Sequence, residues 1–150
     1  MSGSQTDCFG CRKQRGEIAV PGGWIHEDEL VVASHAYRPD RGEEPYLGHL
    51  IVETKRHAPQ FADLTEEEAR GVGALVARLG RALREQEGAE HVYVVFWGDG
   101  TPHFHLHVLP RYPGTPRDFW NPVRVDEAPN AKHGSFDDAA AVAERIREAI

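Results

Sequence analysis

Three histidines alternate with apolar side chains in His103-Phe104-His105-Leu106-His107-Val108-Leu109. Successive side chains of a strand point to opposite faces, so this spacing puts three imidazoles on one face and Phe104, Leu106 and Val108 on the other. One face can be packed while the other lines a cleft. A neutral imidazole is nucleophilic near pH 7, which suits attack on phosphorus through a covalent intermediate. A transition-metal site and a solvated strand face are the competing readings. In a strand rising about 3.3 Å per residue, the Cα atoms of His103 and His107 stand about 13 Å apart, too far for one ion with bonds near 2 Å to take all three rings. The three histidines must divide the labour.

A second group is Cys8-Phe9-Gly10-Cys11, which holds the only two cysteines. They are too close in sequence to staple distant parts of the chain, and a disulfide framework needs more of them. A Cys-x-x-Cys pair is half of a tetrahedral zinc site and needs two further ligands, for which histidines are available. The alternatives are two unpaired thiols near the terminus, or a redox pair, which lacks a preceding strand to set it at a helix start. Gly98-Asp99-Gly100-Thr101 offers backbone N–H groups to an anion, or is simply a tight turn. Trp97, Phe119 and Trp120 are candidates to stack a base, with packing as the alternative. Arg111 and Arg117 either draw an anion to the mouth of a pocket or are solvated.

These residues need a scaffold, and the pattern around them supplies one. Segments 29–36 and 47–54 are rich in Val, Ile and Leu, and the charged, Pro- and Gly-bearing loop between them predicts an antiparallel pair. Thr65-Glu66-Glu67-Glu68 is a capping box, and Val72, Leu75, Val76, Leu79, Ala82 and Leu83 follow the spacing of one buried helical face. Gly88 stands where a left-handed cap is wanted. Residues 91–97 and 103–109 read as a hairpin about the Gly98-Asp99-Gly100 turn. Residues 111–135 carry too much Pro and Gly for regular structure, and a loop of that length shapes a site or moves. Val142, Ile146 and Ile150 predict a final amphipathic helix over 136–150. The fold class expected is α+β, an antiparallel sheet of about five strands with one long helix across a face.

With 150 residues, 40% of them apolar, the chain buries one core, and residues 1–150 are read as a single domain. A net charge of -7 disfavours a nucleic acid polymer as partner, since such binding rests on neutralising phosphates with Lys and Arg. No apolar stretch approaches the roughly 20 residues that cross a bilayer, which argues against a membrane partner. The opening Met1–Asp7 has neither the basic start nor the apolar run of a signal peptide. A cytoplasmic protein is expected.

The histidine strand resembles the signature of the histidine triad (HIT) superfamily, three His separated by apolar residues and followed by two more apolar ones. Gly48-His49-Leu50-Ile51-Val52-Glu53-Thr54-Lys55-Arg56-His57 looks like the strand that ends in a Lys-x-His turn in that superfamily. Cys8-Phe9-Gly10-Cys11 with Gly16-Glu17 is similar to the opening of its Hint-like bacterial branch. The resemblance covers about residues 8–112, leaving 113–150 as a loop and a helix with no counterpart. It implies a HIT-like fold and a catalytic set of His105, His107 and His103. In that set His105 attacks the α-phosphorus to form a nucleotidyl-imidazole, which water or another acceptor resolves, and His107 aligns it and donates to a phosphate oxygen. It implies a structural zinc held by Cys8, Cys11, His57 and His103. It implies a hydrolase or nucleotidyl transferase acting on nucleoside monophosphate esters, phosphoramidates or dinucleoside polyphosphates, with a purine nucleotide as substrate. It also implies a homodimer formed through the long helix and the strand near His91.

Two departures from the pattern bear on the substrate. The loop before the triad is short, lacks a Gln and puts Thr101 two residues ahead of His103, so phosphate contacts fall to Gly100, Thr101 and the turn's backbone. The acidic or amide residue that usually grips the ribose after the second strand is replaced by Ala36, with His35 beside it. A non-catalytic nucleotide-binding module is therefore the rival reading, told apart by AMP binding without adduct or turnover. A metal-dependent hydrolase with His105 and His107 as ligands is a third, told apart by loss of activity on chelation and its return with metal.

Overall fold

The computed structural model describes residues 7–150. Most of the opening segment considered for a leader thus lies outside the described residues. No helix among the described residues is long and apolar enough to cross a membrane.

Among the described residues five strands form one antiparallel sheet: β1 (His26–Glu27), β2 (Val31–His35), β3 (Leu50–Thr54), β4 (His91–Val95) and β5 (His105–Arg111), in the spatial order β1-β2-β3-β5-β4. Three helices among the described residues accompany it: α1 (Phe9–Gln14), α2 (Glu66–Glu87) and α3 (Phe136–Ala149). The fold is α+β, as the sequence implies.

The helix α2 begins where its capping box dictates. The Glu68 amide donates to Thr65 Oγ1 at 3.1 Å, and the Thr65 amide donates to a Glu68 carboxylate oxygen at 2.9 Å. It ends at Gly88, whose φ of 74° closes the last turn in the left-handed region. Its apolar stripe, Leu75, Leu79 and Leu83, packs with Val142 and Ile146 of α3 onto Ala33, Leu50, Val52, Leu106 and Val108 of the sheet. Burying each such Leu or Ile side chain stabilises the fold by about 1.5–3 kcal/mol. The final helix has its own capping box in Ser135 and Asp138, which gives it a sharper start than its apolar spacing suggests.

The opposite face of the sheet carries Ser34, Ile51, Glu53, His105 and His107. At one end α1 lies over it; at the other, residues 112–134 cover Leu109 and Arg111 with Tyr112, Val125 and Trp120. That long segment is ordered by packing and by short 3-10 turns at Arg117–Phe119 and Val125–Glu127. What remains open between its two covers is a cleft.

The structure shifts the predicted histidine strand. Pairing starts at His105 rather than His103, because the Phe104 amide donates instead to the Ala58 carbonyl at 2.6 Å. The strand also runs through Pro110 to Arg111. Proline is tolerated there because the pairing with β3 stops at Val108, so its missing N–H faces no ladder partner.

Candidate active site and metal centre

A cleft of about 300 Å³ opens on the uncovered part of the sheet. His49, Ile51 and Glu53 of the β3 segment form its floor with His105 and His107, Phe9 and Lys13 of α1 wall one side, and Trp97, Gly98, Gly100 and Thr101 of the β4–β5 connection wall another. The sequence candidates His105, His107, Gly100, Thr101 and Trp97 are thus brought together. Phe119, Trp120, Arg111 and Arg117 are not. Arg111 is buried, donates to Tyr93 Oη at 3.0 Å and lies 3.8 Å over the Trp120 ring, so that group braces the sheet away from the cleft. Arg117 also stands over Trp120, 5.2 Å from its centroid.

His105 and His107 reach the cleft because they share a strand face at a spacing of two residues. Nδ1 of His105 lies 2.8 Å from the backbone carbonyl of His103. A carbonyl only accepts, so Nδ1 carries the proton and the lone pair rests on Nε2, the nitrogen a nucleophile needs. Nδ1 of His107 lies 2.9 Å from Nε2 of His49, and the two rings stand 5.2 Å apart. Burial, then the neighbouring His105, pushes His107 down to about 4, and burial drives His49 well below the usual imidazole range. Near neutral pH both are uncharged, so one ring donates to the other. His49 is the site residue that the triad pattern does not reveal. Its signal lies just before β3, where Gly48-His49 leads into the strand that pairs with the histidine strand.

His103 is separated from its two companions. It is fully buried and absent from the cleft lining, so its side chain does not touch a ligand there. Its backbone carbonyl orients His105, and its ring joins Cys8, Cys11 and His57, one ligand atom from each lying within 4.8 Å of every other. Nδ1 of His103 is 3.5 Å from Cys8 Sγ and 3.4 Å from Cys11 Sγ, and Nδ1 of His57 is 3.3 Å from Cys11 Sγ. A zinc tetrahedron with Zn–S near 2.3 Å and Zn–N near 2.0 Å has S–N edges of about 3.5 Å, so this cluster fits such an ion. Nε2 of His103 donates to the Thr54 carbonyl at 2.6 Å, which fixes the tautomer and turns the lone pair of Nδ1 toward the sulfurs. His57 is held less completely, its Nε2 being buried with no partner among the described residues. Burial, with Cys8 alongside, raises the Cys11 thiol to about 11. Gly10 makes the approach of α1 possible: a Cβ there would come within 2.8 Å of the His103 ring.

A family model described as the HIT domain matches residues 19–114. No curated protein matches the sequence. Among solved structures, the chain is similar to a HIT-like protein involved in cell-cycle regulation from Bartonella henselae, with a TM-score of 0.75 at 18% identity over 100% of both chains. It is similar to a hypothetical histidine triad nucleotide-binding protein from Sulfolobus tokodaii, with a TM-score of 0.71 at 19% identity over 95% of this chain and 91% of that one. It is also similar to a zinc-bound histidine triad family protein from Mycobacterium smegmatis, with a TM-score of 0.69 at 21% identity over 97% and 96%.

Proposed function

From the premise that this chain belongs to the HIT-domain family, we propose that it binds a nucleotide in the cleft and transfers the nucleotidyl group through His105. The reading extends to this chain what is said of the S. tokodaii relative, that it binds nucleotides. The observation that carries it is the hydrogen bond from His105 Nδ1 to the His103 carbonyl, which leaves Nε2 free at the cleft floor. Nε2 attacks the α-phosphorus, a P–N bond forms and the bond to the leaving amine or phosphate breaks. The positive charge that develops on the ring is shared with the His103 carbonyl through Nδ1–H. With His49 donating from Nε2, His107 accepts at Nδ1 and presents Nε2–H to a phosphate oxygen. Backbone N–H groups at Gly98–Thr101 add donors on the same side. Water then attacks the phosphorus and frees the imidazole. In the net hydrolysis the water oxygen stays on phosphorus, and a proton ends on the leaving group.

Cys8, Cys11, His57 and His103 would hold a zinc ion, in keeping with the zinc-bound M. smegmatis relative. Its contribution when bound is structural: it ties α1 to the sheet beside the histidine strand. The chain is read as a homodimer. Among the described residues β4 ends the sheet with an unpaired edge, and a groove lined by Ala77, Gly80, Arg81, Arg84, Glu90 and Val92 lies between it and α2.

The test is turnover of adenosine phosphoramidate and diadenosine polyphosphate by the purified protein and its His105→Ala variant. The reading expects the variant to lose at least about a thousandfold in rate; wild-type rates in the variant would contradict it. AMP binding without adduct or turnover would favour a binding module.

A further inference from the structure

The cleft and the metal cluster share a wall, and that wall is α1. Phe9 lines the cleft, and the two thiol ligands stand within two residues of it, Cys8 directly before and Cys11 just after. The helix is held at its two ends by different means. Its second turn has anchors that need no ion: Lys13 Nζ lies 2.6 Å from Glu53 Oε2, with both side chains buried, and Gln14 Nε2 donates to the Thr54 carbonyl at 2.9 Å. Its first turn makes no hydrogen bond to the rest of the molecule outside the cluster among the described residues. There Cys8 Sγ is 3.5 Å from His103 Nδ1 and Cys11 Sγ is 3.3 Å from His57 Nδ1. A thiol is a weak donor and a weak acceptor, so these contacts hold little by themselves. Bonds from all four side chains to one ion would hold the turn far more firmly. His103 differs, because its ring is fully buried and donates to the Thr54 carbonyl at 2.6 Å, which keeps it in place with or without an ion. Loss of the metal therefore frees the first turn of α1, and Phe9 with it, while the histidine strand stays where it is.

Phe9 is the side chain through which that freedom reaches a ligand. It walls the cleft with Lys13, and the Arg38 guanidinium lies 4.7 Å over its ring, tied in turn to Asp40 by hydrogen bonds of 2.9 and 2.7 Å. A ligand that closes against this wall favours the state in which α1 is seated, and so does a bound ion. Two ligands that favour one state raise each other's affinity by the same factor. We infer that zinc binding at Cys8, Cys11, His57 and His103 and nucleotide binding in the cleft are positively coupled through Phe9, so that zinc occupancy sets nucleotide affinity. The inference rests on the nucleotide reading and the ligand set above and adds their regulation of one another.

Two titrations test it. Zinc-loaded protein, and protein stripped by dialysis against a chelator that is then removed, are titrated calorimetrically with AMP. Zinc affinity is measured separately, by competition with a chromogenic chelator in the presence and absence of saturating AMP. Stripping should weaken AMP binding at least about fivefold, and AMP should tighten zinc binding by the same factor. In Phe9→Ala, which keeps all four ligands, zinc should still bind and both factors should fall close to one. Equal AMP affinity with and without zinc overturns the inference, and so does a zinc affinity that AMP leaves unchanged. Factors that persist in Phe9→Ala overturn it as well, since the coupling would then pass through the fold as a whole. Where that variant fails to fold, the stripped wild type decides. Its far-ultraviolet circular dichroism should match that of the loaded protein, and global unfolding on stripping overturns a coupling that frees only one turn. Loaded protein that binds no AMP sinks the nucleotide reading and takes this inference with it, whereas AMP bound equally with and without zinc sinks this inference alone.

Discussion

At the scale of single residues, the site depends on which ring nitrogen carries a proton. His105 has its tautomer set by a backbone carbonyl, while His107 depends on another side chain, His49. Replacing His49 with Ala should lower turnover by about tenfold to a hundredfold, the worth of one hydrogen bond to a group that shares developing charge, with the adduct still on His105. Stopped-flow measurement of adduct formation checks this, and an unchanged rate would remove His49 from the account. His35 makes a second prediction. Its Nδ1–H donates to the Ala36 carbonyl, its Nε2 accepts from the Gly48 amide, and burial lowers it to about 4. The unfolded chain takes up a proton near pH 6.5 that the folded ring refuses until about 4, so stability is full above pH 6.5 and falls as the pH drops through that window. His35 alone should cost roughly 2 kcal/mol between pH 7 and 5, seen as a steeper pH slope of the urea midpoint than in His35→Gln. The pairing of His105 with His107 was legible in the sequence because strand alternation is local. The burial of His103 and the partnership of His49 with His107 were not, since each is set by chain segments far away in sequence, the Ala58 carbonyl and the neighbouring strand.

At the scale of elements, the short helix α1 is the least expected part and the one on which the site most depends. Its six residues are too few to be stable alone, so its position comes from what it touches. Those contacts are the Cys8–Cys11–His57–His103 cluster and the Lys13–Glu53 pair. Gly10→Ala should push α1 off the His103 ring, lower the melting temperature by several degrees and weaken retention of zinc. Elemental analysis of protein purified without added metal, compared with Cys8→Ser and Cys11→Ser, checks the ligand set. No zinc in the wild type, or equal zinc in the variants, would refute it. The long helix α2 was legible to its ends because Thr65, Glu68 and Gly88 are local stop and start signals. The two-residue strand β1 and α1 carry no such periodicity and exist only through tertiary contacts. The order in residues 112–134 was hidden for a similar reason, its Pro and Gly content reading as loop while Tyr112, Val125 and Trp120 pack onto the sheet.

At the scale of the whole molecule, one face of the sheet is spent on the core and the other on a cleft bounded by α1 and the 112–134 segment. The outer edge of β4 remains, with Val94 49% exposed beside it. Sedimentation equilibrium should give twice the chain mass at micromolar concentration, and Val94→Lys should shift the species toward the monomer; a wild-type monomer at every concentration would contradict the dimer. The proposed transfer turns on one atom, Nε2 of His105. Protein quenched in acetonitrile during turnover of adenosine phosphoramidate, then digested and mapped by mass spectrometry, tests it most directly. An adenylyl group is expected on the peptide containing His105, absent in His105→Ala. Turnover with no modified histidine, or with the group on another residue, would contradict it.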